Sequence, residues 1–280
     1  MPRPARFGAF TVPAFRIFYL GYVVSLLGTW MQRTAQSWLV VELTNSPFWV
    51  GFVDALSTLP VLLFTLYAGA LADRMSRYRL VFATQTVAMV LSFAFAAMVY
   101  ADRSTILLIA VLAAAMGIVQ AFDIPARHSF FFDVVGREHL PSAIALNSSA
   151  FNGTRAIGPS IAGVLIGAFG VGICFVLDGV SFLAVLAVML IIRPAVMRQV
   201  ATPVGSAARR IREGLRYVAE EPRVRMIMAN IAAMSILAIP LRTLMPVLAK
   251  SVLGVGATEF GWMMSAVGHA SNSNISGVVS

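Results

Sequence analysis

Within the long apolar stretches of this sequence, a few polar residues recur at helical spacing. Ser148, Asn152, Arg155 and Pro159 follow intervals of four, three and four residues, which lines them along one helix face. Ser25, Gln32 and Gln36 share a face with Gly28, and Arg33 stands beside them. Polar groups are costly in hydrocarbon and persist where they face a cavity or pair with one another. The expected arrangement is a shared polar cavity near the middle of a membrane, with Gln32, Arg33, Gln36, Ser148, Asn152 and Arg155 as its binding groups. Arg33 and Arg155 can hold an anion or pair with Asp54 or Asp178. A buried carboxylate without a partner favours its neutral form and can carry a proton. Asp54 and Asp178 are therefore candidates for proton coupling; both lie toward the outer ends of their helices, where solvation is the competing reading. Ser57 and Thr58 lie a turn from Asp54, and Pro60 is expected to break that helix. Ser181 accompanies Asp178.

Apolar segments must position these groups. Hydrophobic residues make up 59% of the 280, and charged residues 12%. Soluble domains are about half apolar and about a quarter charged, so lipid is the expected solvent. Spanning-length segments are predicted at 14–42, 47–72, 79–101, 104–124, 140–168, 171–193 and 224–250, with an eighth beginning near 257. The loops are mostly short, so consecutive helices are expected to be antiparallel neighbours. With the N-terminus in the cytoplasm, sixteen of the 21 Lys and Arg residues fall on the inner side. Arg103 and Lys250 fall outside, and Arg33, Arg155 and Arg242 lie within spans. That bias predicts a cytoplasmic N-terminus.

The same placement explains the net charge of +9 without nucleic acid. Cys174 is the single cysteine, which excludes an intrachain disulfide and a Cys-rich metal site. His128, His139 and His269 have no metal spacing. No phosphate-binding Gly-rich loop ending in Lys-Ser/Thr is present, and no catalytic cluster of a membrane-embedded enzyme. No cofactor is expected. No cleavable signal peptide is visible, so the first span would act as the targeting signal.

The long loop at 194–222 is the candidate linker. Ile211, Leu215 and Val218 are spaced for an amphipathic helix at the inner membrane surface, amid Arg209, Arg210, Arg212 and Arg216. An internal repeat relates Arg16 and Arg33-Thr34 to Arg225 and Arg242-Thr243 at one offset of 209, with Gly51 and Gly261 at 210. Two halves of six helices are expected, related as parallel repeats. The eighth segment turns polar at His269-Ala-Ser-Asn-Ser-Asn, which cannot complete a span. A truncated or frameshifted gene, or a fragment, is the expectation.

Several motifs carry a family resemblance. Gly69-Ala-Leu-Ala-Asp73-Arg74-Met-Ser-Arg77 resembles the loop signature of the major facilitator superfamily, Gly-x-x-x-Asp-Arg-x-Gly-Arg. Ser76 replaces the usual glycine, which would loosen the turn. Arg155-Ala-Ile-Gly158-Pro159-Ser-Ile-Ala-Gly163 resembles the Gly-Pro signature of the antiporter branches. Trp30 to Val40 with Glu42 to Ser46, Ala121 to Arg127, and Ala145 to Arg155 are similar to the branch holding enterobactin and macrolide exporters. The resemblance covers about residues 15–195, and more weakly extends to 268. It implies that Gly69, Asp73, Arg74 and Arg77 form a latch between the halves on the inner side. Gly69 would let two helices approach closely, and Asp123, at the inner end of the fourth segment, would join the charge relay. It implies a kink and close helix contact at Gly158, Pro159 and Gly163.

The expected fold is an all-α, multi-spanning helical bundle of the major facilitator type, truncated after about seven helices. The division is a six-helix half at 1–193, a linker at 194–222, the start of a second half at 223–268, and a polar tail at 269–280. The resemblance implies a secondary transporter in a bacterial inner membrane, exporting drugs or siderophores against protons by alternating access. The alternatives are an importer of the same fold and a non-transporting remnant. Expected partners are a small-molecule substrate, protons, lipid and a missing C-terminal half.

Overall fold

The computed structural model describes residues 8–72, 75–136, 138–196, 216–217 and 220–276. The regular structure among them is helical. A 3-10 turn at Gly8–Thr11 leads into α1 (Pro13–Thr44), followed by α2 (Pro47–Ala72), α3 (Arg77–Tyr100) and α4 (Ile106–Val135). Next come α5 (Leu140–Phe169), α6 (Gly172–Val196) and α7 (Pro222–Val247). A π-helical turn, Leu248–Val252, connects α7 to α8 (Ala257–Ser276).

Among the described residues, α1, α3, α4, α2 over Pro47–Thr65 and α6 over Gly172–Ile192 are long and apolar enough to cross a bilayer. α5 is as long, but its Ser148, Asn152 and Arg155 stripe dilutes its apolar character. Local chemistry sets several ends. Pro13 opens α1, where a missing N–H costs nothing. Asn45 closes it in the left-handed region (φ 46), its N–H donating to the Val41 carbonyl. Ser76 does not merely loosen a turn: its hydroxyl caps α3 by accepting from the Arg79 N–H.

Three expectations need correction. Consecutive helices are not the chief neighbours. α1 packs on α5 and α6, α2 on α4, α3 on α6 and α4, and α5 on α8. Short loops fix only where the next helix starts, and the helices then diverge. Pro60 does not break α2, which runs continuously through it. α4 passes Pro125 and ends at Val135, not near 124. Spanning helices tolerate an internal proline where neighbours re-satisfy the freed carbonyl. The polar stretch after Gly268 is helical to Ser276, but that helix is not among those long and apolar enough to cross a bilayer. Most of the linker, including Ile211 and Leu215, lies outside the described residues. Arg216 and Glu220 there form an exposed ion pair at 2.6 Å.

Two apolar cores divide the bundle lengthwise. One gathers Phe15, Phe18, Tyr78, Phe130, Phe131 and Met189 near the end where α1 begins. The other gathers Trp38, Val50, Phe95, Phe175 and Phe260 near the opposite end. α5 and α8 cross at Gly163 and Gly261. A Cβ on Gly163 would lie 2.5 Å from the Ala257 carbonyl oxygen and 2.9 Å from the Gly261 Cα. Both obstacles are backbone, so neither can rotate away. Gly163→Leu is expected to push α8 off α5 and lower stability by about 1–3 kcal/mol. Thermal unfolding in detergent checks this, with Val164→Leu, on the exposed face of the same helix, expected to be neutral.

Candidate functional site

Between the cores lies a cavity of about 490 Å³. Of the sequence-predicted binding groups, Gln32, Arg33, Ser148 and Asn152 line it, and so does Asp178. Trp30, Phe151 and Phe182 supply apolar wall. Trp30 and Phe151 meet edge to face at 5.5 Å, and the Arg33 guanidinium lies 5.6 Å from the Trp30 ring. Arg33 also donates a hydrogen bond to the Gln120 side-chain oxygen.

Two predicted groups sit elsewhere. Gln36 lines a smaller cavity of about 40 Å³ with Asp54, Ser57 and Thr58, while Arg33 borders both cavities. Gln36 accepts from Gln32 at 3.3 Å and donates to Ser57 Oγ at 3.3 Å. Arg155 does not line the main cavity. It lies seven residues beyond Ser148, about 10 Å further along the helix. At that level α8 closes on α5, where a Cβ at Gly268 would lie 3.1 Å from the Ala156 Cα. Arg155 lies against Phe151, 5.9 Å from its ring.

The solvation reading fails for Asp178. It is 1% exposed, on the cavity wall. Its Oδ2 accepts from Ser92 Oγ at 2.6 Å. Its Oδ1 has no hydrogen-bond partner among the described residues in bonding geometry, although Thr29 and Arg33 act on the same carboxylate. Gly28 makes room for it: a Cβ there would lie 2.9 Å from Oδ1 and 2.6 Å from Ser181 Oγ. Asp54 differs. It is half-buried and accepts from Thr243 Oγ1 of α7 at 2.8 Å.

The best-bonded carboxylate of the cavity is Asp123, and sequence reasoning gave it another role. Its Oδ1 accepts from Thr84 at 2.8 Å and from Gln85 at 2.9 Å. Its Oδ2 pairs with Arg127 at 2.7 Å. The Arg127 guanidinium lies 5.1 Å from the Tyr22 ring, and the Tyr22 hydroxyl donates to Asn147 Oδ1 at 2.7 Å. This network ties α1, α3, α4 and α5 together. Its sequence signal is the i, i+4 pair of Asp123 and Arg127, which a fourth segment ending at 124 divides.

The same extension of α4 moves the acidic partner of the α2–α3 loop. Arg77 pairs with Asp133 at 2.6 Å. Asp123 lies ten residues, about 15 Å, deeper. Gly69 has no atom within 4 Å of where a Cβ would stand, so it brings no described helix close. Asp73 and Arg74 lie outside the described residues. Gly158 does allow close approach: a Cβ there would lie 2.7 Å from the Trp30 Cβ. Pro159 sits inside a continuous α5, and its carbonyl oxygen faces Gly261.

A family model described as a transmembrane secretion effector, of the major facilitator type, matches residues 5–277. The chain belongs to this major facilitator family. Two transporters of the superfamily are similar to it. The staphyloferrin A transporter of Staphylococcus aureus is 27% identical over 179 residues, 61% of this chain and 44% of the relative. The uncharacterized MFS-type transporter YfiS of Bacillus subtilis is 25% identical over 203 residues, 71% of this chain and 48% of the relative. The chain spans about half the length of the curated relatives it matches. In this major facilitator chain, the cavity lies between α1, α3, α4, α5 and α6, within the first six helices.

Proposed function

We propose that the chain acts in proton-driven export of small molecules, as the solute-binding part of a secondary transporter working by alternating access. One observation carries the reading: a fully buried carboxylate, Asp178, forms part of the wall of a cavity of small-molecule size. The family description as a secretion effector supports the outward direction, and the staphyloferrin A transporter supports a small-molecule cargo. In this reading the chain lies in a bacterial inner membrane with its N-terminus inside, as the arginine distribution favours.

The half-repeats divide the work. Residues 1–193 form one half and residues 223–268 belong to the second. α5 and α8 pivot at Gly163 and Gly261, which is the role of the Gly-Pro motif. Gly69, Asp73, Arg74 and Arg77 latch the inner side, with Asp133 holding Arg77 on α4. Asp54, bonded to Thr243, closes the outer side between α2 and α7. Asp178 binds and releases the proton.

The test is accumulation in inside-out vesicles under an imposed pH gradient. Ethidium, coumarin and 1-naphthylacetate span cationic, neutral and anionic probes. Accumulation of one of them, abolished by a protonophore, is expected. No accumulation above protein-free vesicles, with the gradient verified, would overturn the reading.

A further inference from the structure

The cavity charges are not equivalent, and their bonding separates them. Asp123 is saturated by Thr84, Gln85 and Arg127, and Arg127 is engaged in turn by Asp123 and the Tyr22 ring. That pair is internally neutral and structural. Asp178 is on the cavity wall but 1% exposed and bonded to Ser92. Arg33 is the charged side chain of α1 that remains exposed within this wall. It donates to Gln120, an amide that can itself also donate, and acts on the Asp178 carboxylate as well. Asn152, on the facing α5, lines the same cavity. The apolar counterpart is the Trp30–Phe151 pair beside Arg33.

We infer that this cavity selects organic anions with an aromatic or apolar body, and that Arg33 is the group that recognises the anionic end. The guanidinium binds the carboxylate or an equivalent oxyanion by charge-assisted hydrogen bonds. Gln120 and Asn152 donate to its remaining lone pairs. The body lies against Trp30 and Phe151. The inference rests on the transporter reading and names its substrate class. A cargo with a negative charge leaves the cell down the inside-negative membrane potential, which suits export.

The test is equilibrium binding to the purified 280-residue chain in nanodiscs. The probes are 1-naphthylacetate and 1-naphthylacetamide, which share a body and differ in charge. The acid is expected to bind about tenfold tighter than the amide or better, the worth of a charged hydrogen bond. Arg33→Gln is expected to erase that preference, so that acid and amide bind alike. Arg33→Lys, which keeps the charge, is expected to retain most of it, which separates recognition from misfolding. Equal binding of acid and amide, binding of neither, or an acid preference that survives Arg33→Gln would each overturn the inference. Because no transport is measured, acid-selective binding without vesicle transport would strike the transport reading alone.

Discussion

Asp123→Ala is expected to destabilise the chain by about 3–5 kcal/mol, the largest stability effect of any single change considered. The carboxylate is 4% exposed and serves three donors at once. Removing it leaves the Arg127 guanidinium, a threonine hydroxyl and a glutamine amide facing a gap. The main cost is the partly buried Arg127 guanidinium on the cavity wall, because the truncated side chain gives it nothing to pair with. Asp123→Asn keeps the shape and the acceptor for Thr84 and Gln85 but turns an amide NH2 toward Arg127, so it loses one partner of three and its cost should be smaller. Thermal unfolding in detergent checks both. The double variant Asp123→Ala with Arg127→Met should recover much of the loss, since it removes the stranded charge. If Asp123→Ala unfolds like the parent chain, the network does not hold α1, α3, α4 and α5 together.

Much of this site was legible in the sequence, for identifiable reasons. Polar residues in apolar runs stand out because lipid penalises them, so Gln32, Arg33, Ser148, Asn152 and Asp178 could be picked without a structure. Helix positions followed from apolar periodicity, and the α2 and α5 bounds agree within a residue. What failed was depth and neighbourhood. A stripe of spacing four, three and four fixes a face but not how far along it a cavity extends, so Arg155 was grouped with Ser148, about 10 Å away along the helix. The fourth segment was ended at 124, which put Asp123 at the inner end of its helix and left Asp133 unnoticed. Short loops suggested sequential packing, whereas glycine contacts such as Gly158 on Trp30 and Gly163 on Gly261 decide which helices touch. Those contacts join residues 95 or more positions apart, and no local pattern announces them. The solvation alternative for Asp178 fails for a related reason. Its burial depends on Gly28, a residue of α1, whose missing side chain admits the carboxylate.

Asp178 carries the central claim, and the effect of changing it is expected to be complete. Asp178→Asn preserves size, the Gly28 contact and the bond from Ser92 Oγ, but an amide cannot exchange a proton in the working pH range. Binding and downhill exchange should therefore survive, while energy transfer from the proton gradient should not. The decisive measurement compares the two activities in one set of vesicles, using whichever probe the unaltered protein accumulates. Under a gradient of one pH unit, a one-proton exchange sustains about tenfold accumulation. The account predicts that Asp178→Asn exchanges internal for external probe normally and accumulates none. Uphill accumulation by Asp178→Asn equal to that of the unaltered chain would contradict it.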